Sequence, residues 1–220
     1  MVYVKICGIT HLEDAQAAVA CGADAIGFVF APESPRFIAP QEVGRIVAAL
    51  PPFVTTVGVV TSGAAEALRR ILDLSGINLL QFHGAFPASV VHPFAERAIF
   101  AVRVQDESSL LDIPPFPVRA LLLDTCHEQH LGGSGMTFDW EIAAAAHPFG
   151  RIILAGGLTP ENVDAACKKV RPYGVDVSSG VESEKRKKDH DKIARFVRAA
   201  KCAIPEPVAP APLKETVGDG

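Results

Sequence analysis

The 220-residue chain lacks a pairable set of cysteines, a long apolar run and a surplus of positive charge, and each lack removes a class of protein. The five cysteines, Cys7, Cys21, Cys126, Cys167 and Cys202, are odd in number and show no C-x-x-C spacing. That pattern fits reduced thiols in the cytoplasm better than disulfides or a structural zinc site. No apolar stretch approaches the ~20 residues needed to cross a bilayer. Met1 runs straight into Val2 to Cys7 without the charged start and apolar core of a signal peptide. The expectation is a cytoplasmic protein with no membrane partner. A net charge of -4 leaves no electrostatic footprint for nucleic acid. The basic run Lys185 to Lys188, flanked by Glu184, Asp189 and Asp191, reads as a solvated helix start. An acidic protein that binds a phosphate ester must supply positive potential locally, through backbone N–H groups and one or two placed cations.

What is present is a core: 49% of residues are hydrophobic, enough for one compact domain and too few residues for two. Short β-branched runs recur at Tyr3 to Cys7, Ala25 to Phe30, Thr55 to Val60, Asn78 to Phe82, Ile99 to Val104, Ala120 to Asp124, Ile152 to Ala155 and Gly174 to Val177. Their ends follow one another at intervals of 20 to 31 residues, with no hairpin turns between them. Helix signals fill the gaps. Thr10 with Glu13 reads as a capping box, and Thr159-Pro160-Glu161 as an N-cap, a first-turn proline and an early acid. The segments after Phe86 and Asp106 leave room only for stubby helices. Eight unbroken βα units favour an α/β fold, a single (β/α)₈ TIM barrel over residues 1–203, ahead of an open doubly wound sheet. Residues 204–220, with Pro205, Pro207, Pro210 and Pro212, read as a disordered tail.

Such barrels do their chemistry at the carboxyl ends of the strands. On the first strand the pleat places Tyr3, Lys5 and Cys7 on one face, so Cys7 points inward at the mouth. A lone cysteine is more often a small buried hydrophobe. Lys5 on the same face and the nearby helix start are expected to lower its pKa toward neutrality, as a proton-abstracting group requires. Asp124 ends the run Leu121-Leu122-Leu123, either capping the next loop or serving as a partly desolvated acid. Gly156-Gly157 after the seventh strand and Ser178-Ser179-Gly180 after the eighth match the phosphate site of these barrels, although glycines also permit tight turns. Arg36, framed by Pro32 and Pro35, carries a fork suited to a carboxylate, or is simply an exposed loop arginine.

In order, Lys5-Ile6-Cys7-Gly8-Ile9-Thr10, Gly27-Phe28-Val29-Phe30, Ser34-Pro35-Arg36, Gln81-Phe82-His83-Gly84, Leu122-Leu123-Asp124-Thr125, Gly132-Gly133-Ser134-Gly135, Leu154 to Leu158 and Val175 to Glu182 resemble the phosphoribosylanthranilate isomerases, over Met1 to about Ala200. The resemblance implies an Amadori rearrangement of N-(5-phosphoribosyl)anthranilate to 1-(2-carboxyphenylamino)-1-deoxyribulose 5-phosphate in tryptophan biosynthesis, without metal or organic cofactor. It implies Asp124 as general acid, Cys7 as general base, and Arg36 on the anthranilate carboxylate. The amides of Gly156, Gly157, Ser179 and Gly180 would hold the phosphate, and Ser134 and Gly135 would fold over the substrate. His83 and Asp176 join as further substrate-binding candidates, with Lys5 and Arg103 behind them. The chain departs from the family after its third strand, where it reads Gly58-Val59-Val60-Thr61-Ser62 in place of the usual aromatic and asparagine. It also has Phe82 for a leucine, and no Pro-Gly between Ser183 and Lys188.

Two other functions compete. The sister isomerase of histidine biosynthesis uses aspartates in both roles and a duplicated half-barrel, whereas position 7 is a cysteine and residues 1–105 and 106–200 do not repeat. A catalytically silent sugar-phosphate-binding barrel would have lost the acid or the base. Only the small-molecule substrate is expected as partner, with the chain a monomer or homodimer.

Overall fold

Runs such as Ala120 to Leu123 are apolar on both faces, and a strand apolar on both faces is stable only when both are covered. The computed structural model, which describes residues 1–124 and 140–203, satisfies this with a closed eight-stranded parallel barrel. Its strands are β1 (Tyr3–Ile6), β2 (Ala25–Val29), β3 (Thr55–Val60), β4 (Leu79–Phe82), β5 (Ala98–Arg103), β6 (Ala120–Asp124), β7 (Ile152–Ala155) and β8 (Gly174–Val177). Each expected strand end falls within one residue of the observed one. Pairing of Val4 with Val175 and Lys5 with Asp176 closes the ring, so the open-sheet alternative is excluded.

Between strands run α1 (Leu12–Ala20), α2 (Pro40–Ala48), α3 (Ala65–Ser75), α4 (Ala88–Val91), α5 (Trp140–Ala145) and α6 (Val163–Val170), and α7 (His190–Ala203) follows the barrel. The fourth unit has a four-residue helix and the fifth only a 3-10 turn at Glu107–Asp112, as the short segments require. Outward strand residues such as Ile6, Phe28, Phe82, Leu121 and Leu123 meet helix residues such as Leu68, Val163, Ile193 and Phe196 in the main core. Each such side chain contributes roughly 1.5 to 3 kcal/mol by leaving water. The inward faces form a second, smaller cluster of Val57, Ile99, Ala101, Ala120, Leu122, Ile153 and Ala155.

Three local expectations are corrected. Thr10 does not cap α1: its hydroxyl pairs with the His11 ring and donates to the Arg186 carbonyl, and His11 occupies the cap position without a capping bond from its side chain. Thr159-Pro160-Glu161 forms a turn ahead of α6, with Thr159 Oγ1 accepting from the Glu161 amide, and the helix begins at Val163. The run Lys185 to Lys188 is no helix start. It is the turn and return strand of a hairpin, β9 (Glu182–Glu184) against β10 (Lys187–Lys188), and Lys188 is buried. Residues 204–220, expected as a tail, and Cys126, Ser134 and Gly135 lie outside the described residues.

Candidate active site

β1 ends beneath the mouth, and its period-2 pleat turns Lys5 and Cys7 to the interior while Val4 and Ile6 pack outward. Lys5 Nζ donates to Asp176 Oδ1 at 3.0 Å, a pair formed because β1 and β8 place the two residues side by side. The pair lies in the interior, at 4% and 9% side-chain exposure. The space for it comes from β2: a Cβ on Gly27 would stand 2.8 Å from Cys7 Sγ and 3.0 Å from Lys5 Nζ.

Burial pushes the Cys7 thiol up, and Asp176 adds to that rise; Lys5 and Lys188 pull it down and do not prevail. The expectation that Lys5 lowers the thiol toward neutrality is therefore corrected. The reason is that Lys5 already answers Asp176: burial alone would lower the Lys5 pKa, but that carboxylate and the sulfur beside it leave it raised.

Asp124 stands at the end of β6, half-buried, with Oδ2 3.4 Å from His83 Nε2, which rises two residues past Gln81 from the end of β4. Arg103 is paired in register with Asp124 but its side chain is exposed. Cys7 and Asp124 thus occupy carboxyl ends of β1 and β6 at one mouth.

Arg36 is not a free loop arginine. Its Nε and Nη2 donate to Glu182 Oε1 and Oε2, both at 2.7 Å, a bidentate fork that aims the guanidinium. Glu182 is held in turn by Lys188, whose Nζ donates to Glu182 Oε1 at 3.1 Å and to the Ser178 carbonyl at 3.0 Å. Burial works against the Glu182 carboxylate, but Arg36 and Lys188 outweigh it and hold its pKa below the usual value; for Lys188 burial wins and the pKa is lowered. Gly8 admits this arrangement, since a Cβ there would stand 2.5 Å from Arg36 Cδ and 2.8 Å from Ser178 Oγ.

The loop after β7 turns through two left-handed residues, Gly156 at φ 84° and Gly157 at φ 61°. Asn162 fixes it, donating from Nδ2 to the Gly157 carbonyl at 3.0 Å while Oδ1 accepts the Thr159 amide at 2.8 Å. The loop after β8 lies directly on this one, because a Cβ on Gly180 would overlap the Leu158 carbonyl oxygen. Gly157 and Ser179 are exposed at the mouth. Among the described residues no group of three or more His, Cys, Asp or Glu side chains is placed to hold a metal, and no helix is long and apolar enough to cross a membrane.

The structure brings Cys7 and Asp176 together around Lys5, His83 and Asp124 together, and Arg36 against the strand 8 side of the mouth. Asp176, expected on the substrate, accepts Lys5 on Oδ1. Residue-level reading missed Glu182, Lys188, Gly27 and Asn162 as parts of the site. The available signals were the glutamate ending the Val175 to Glu182 motif, and an asparagine five residues past a glycine pair.

Residues 4–199 match the family model of N-(5'-phosphoribosyl)anthranilate (PRA) isomerase. The chain is 48% identical over 201 residues to the N-(5'-phosphoribosyl)anthranilate isomerase of Pelobacter propionicus, covering 91% of this chain and 96% of that one. It is 49% identical to that of Geobacter sulfurreducens, with 91% and 99% covered. The crystal structure of phosphoribosyl anthranilate isomerase from Thermotoga maritima superposes with a TM-score of 0.84 at 46% identity, covering 92% of this chain and all of that one. The solved structures similar to this one also include a phosphoribosyl anthranilate isomerase in complex with reduced 1-(o-carboxyphenylamino)-1-deoxyribulose 5-phosphate, at a TM-score of 0.81. With the strand-end chemistry in place and the match running almost end to end, the chain belongs to the N-(5'-phosphoribosyl)anthranilate isomerase family.

Proposed function

We propose that this protein isomerises N-(5-phosphoribosyl)anthranilate to 1-(2-carboxyphenylamino)-1-deoxyribulose 5-phosphate in tryptophan biosynthesis, with Asp124 as acid and Cys7 as base. The carrying observation is the family match over residues 4–199 on a closed barrel whose mouth bears a cysteine and an aspartate at strand ends. Asp124, protonated, gives its proton to the furanose ring oxygen as the C1'–O bond breaks and the anilino nitrogen's lone pair forms the C=N bond of an iminium. Cys7, as thiolate, takes the C2' proton, and the C–H electron pair becomes the C1'=C2' bond of an enolamine. Protonation at C1' with loss of the C2' hydroxyl proton then gives the ketone. Atoms and charge balance without a redox partner.

His83, 3.4 Å from Asp124, is placed to steer that carboxyl group. Two of Arg36's five N–H donors go to Glu182, which leaves three for the anthranilate carboxylate. Gly156, Gly157, Ser179 and Gly180 would receive the phosphate on backbone amides, with Ser134 and Gly135 closing from the loop after β6. Asp176, held by Lys5 beside Cys7, stays a substrate-binding candidate through its carboxylate. Cytoplasmic residence follows from the reaction class and from Cys7, Cys21, Cys167 and Cys202, which are unpaired thiols. A homodimer is the assembly to test by sedimentation, because a Thermotoga maritima relative is described as dimeric. A coupled fluorescence assay with freshly made phosphoribosylanthranilate tests the activity, and no turnover by the purified chain rejects it.

A further inference from the structure

The ion pairs of the mouth lie on the β8, β1 and β2 side, and one polar atom deeper in the barrel is left out of any such pairing. Gln81 is 3% exposed, and its Oε1 is buried without a hydrogen-bond partner among the described residues. β4 lies between Val59 of β3 and Ile99 of β5, so the amide is flanked by aliphatic side chains that offer it nothing. A buried polar atom left unpaired bears its full desolvation penalty, and a leucine or methionine would fill the same space without it. Folding alone gives no reason for a glutamine here.

Its position supplies one. The period of two along β4 puts Gln81 on the same face as His83, one step below the His83–Asp124 pair. On the neighbouring β5, Ala101, two residues past Gln81's partner Ile99, is small and keeps 8% exposure, so the wall on the mouth side of the amide is low. The ligand group that satisfies an amide carrying both donors and acceptors is a hydroxyl, which can accept from Nε2 or donate to Oε1. An aromatic ring would leave the amide unpaired, and a phosphate would face its oxygen.

We infer that Gln81 is a substrate-binding residue that hydrogen-bonds a hydroxyl of the sugar chain, positioning its carbons beneath the acid. This rests on the function proposed above, and two readouts separate them. Gln81→Met keeps the volume and removes the amide. It should lower kcat/KM by ~10- to 100-fold while leaving Tm unchanged or higher and inhibition by inorganic phosphate as in the wild type. Calorimetry with ribitol 5-phosphate, which carries the hydroxyls without the anthranilate, should show ~10-fold weaker binding to the variant, and inorganic phosphate should bind both proteins alike. Gln81→Leu should repeat both results. Wild-type kcat/KM in the Met variant, a Tm loss of several degrees, or equal weakening of phosphate binding would each overturn the assignment. A wild-type protein that fails to isomerise phosphoribosylanthranilate, yet shows the ribitol 5-phosphate difference, would sink the reaction and leave the hydroxyl site standing.

Discussion

The two sides of the barrel interior are built on opposite principles. Around β8, β1 and β2 the site is ionic and closed on itself: Lys5 with Asp176, and Arg36 with Glu182 and Lys188. Across β3 to β7 it is aliphatic, with Val57, Ile99, Leu122 and Ile153 lining the wall and Gln81 Oε1 without a partner among the described residues. The ionic side carries the proposed base, Cys7, and the proposed carboxylate clamp, Arg36, among side chains that are buried or tied by ion pairs. The apolar side carries Asp124 at its rim, half-buried beside His83. One interior thus sets the proposed base and the proposed acid in different surroundings.

The comparison is broken most severely by removing the two proposed reacting groups. Cys7→Ala and Asp124→Asn should each lower kcat by at least ~100-fold with the fold retained, and near-wild-type turnover in either would remove that residue from its role. Because burial holds the Cys7 thiol above its usual 9.0, kcat/KM should keep rising with pH past that value, as the base must first lose its proton. A profile flat from pH 7 upward would show that the ionic side wins over burial.

Next in size, Lys5→Met leaves Asp176 without its partner in the interior and should reduce unfolding free energy by about 3 to 5 kcal/mol in urea titrations. Gln81→Met on the other side should cost nothing, and equal losses would erase the contrast. Arg36→Met should lower kcat/KM by ~10- to 100-fold with phosphate inhibition intact, since the proposal gives the fork and the glycine loops different ends of the substrate. Loss of phosphate inhibition in that variant would mean the two anionic ends are misplaced.

The smallest effect lies at the hairpin that carries Lys188. Arg186 takes φ 74°, a left-handed conformation that favours glycine, at the segment where the family often has Pro-Gly. Arg186→Gly should raise stability by about 0.5 kcal/mol, the relieved strain less the added chain entropy, with unchanged turnover. A loss of stability in thermal melts would show that the side chain, not the turn, matters there.

Local pattern by itself determined the eight strands, their ends within a residue, the inward direction of Cys7 and the glycine loops after β7 and β8. Pleat and turn chemistry act over a few residues, so the chain records them directly. It was blind to Thr10 being drawn off its cap by the Arg186 carbonyl, and to the charge of Lys188 being taken inside by Glu182 and Ser178. The tertiary structure alone decided the direction of the Cys7 shift, the aim of Arg36 and the isolation of Gln81. Each depends on partners brought from far along the chain: Arg36 and Glu182 are 146 residues apart, Lys5 and Asp176 171. Desolvation and charge pairing are sums over everything within a few ångströms, and closure of the barrel settles which groups those are.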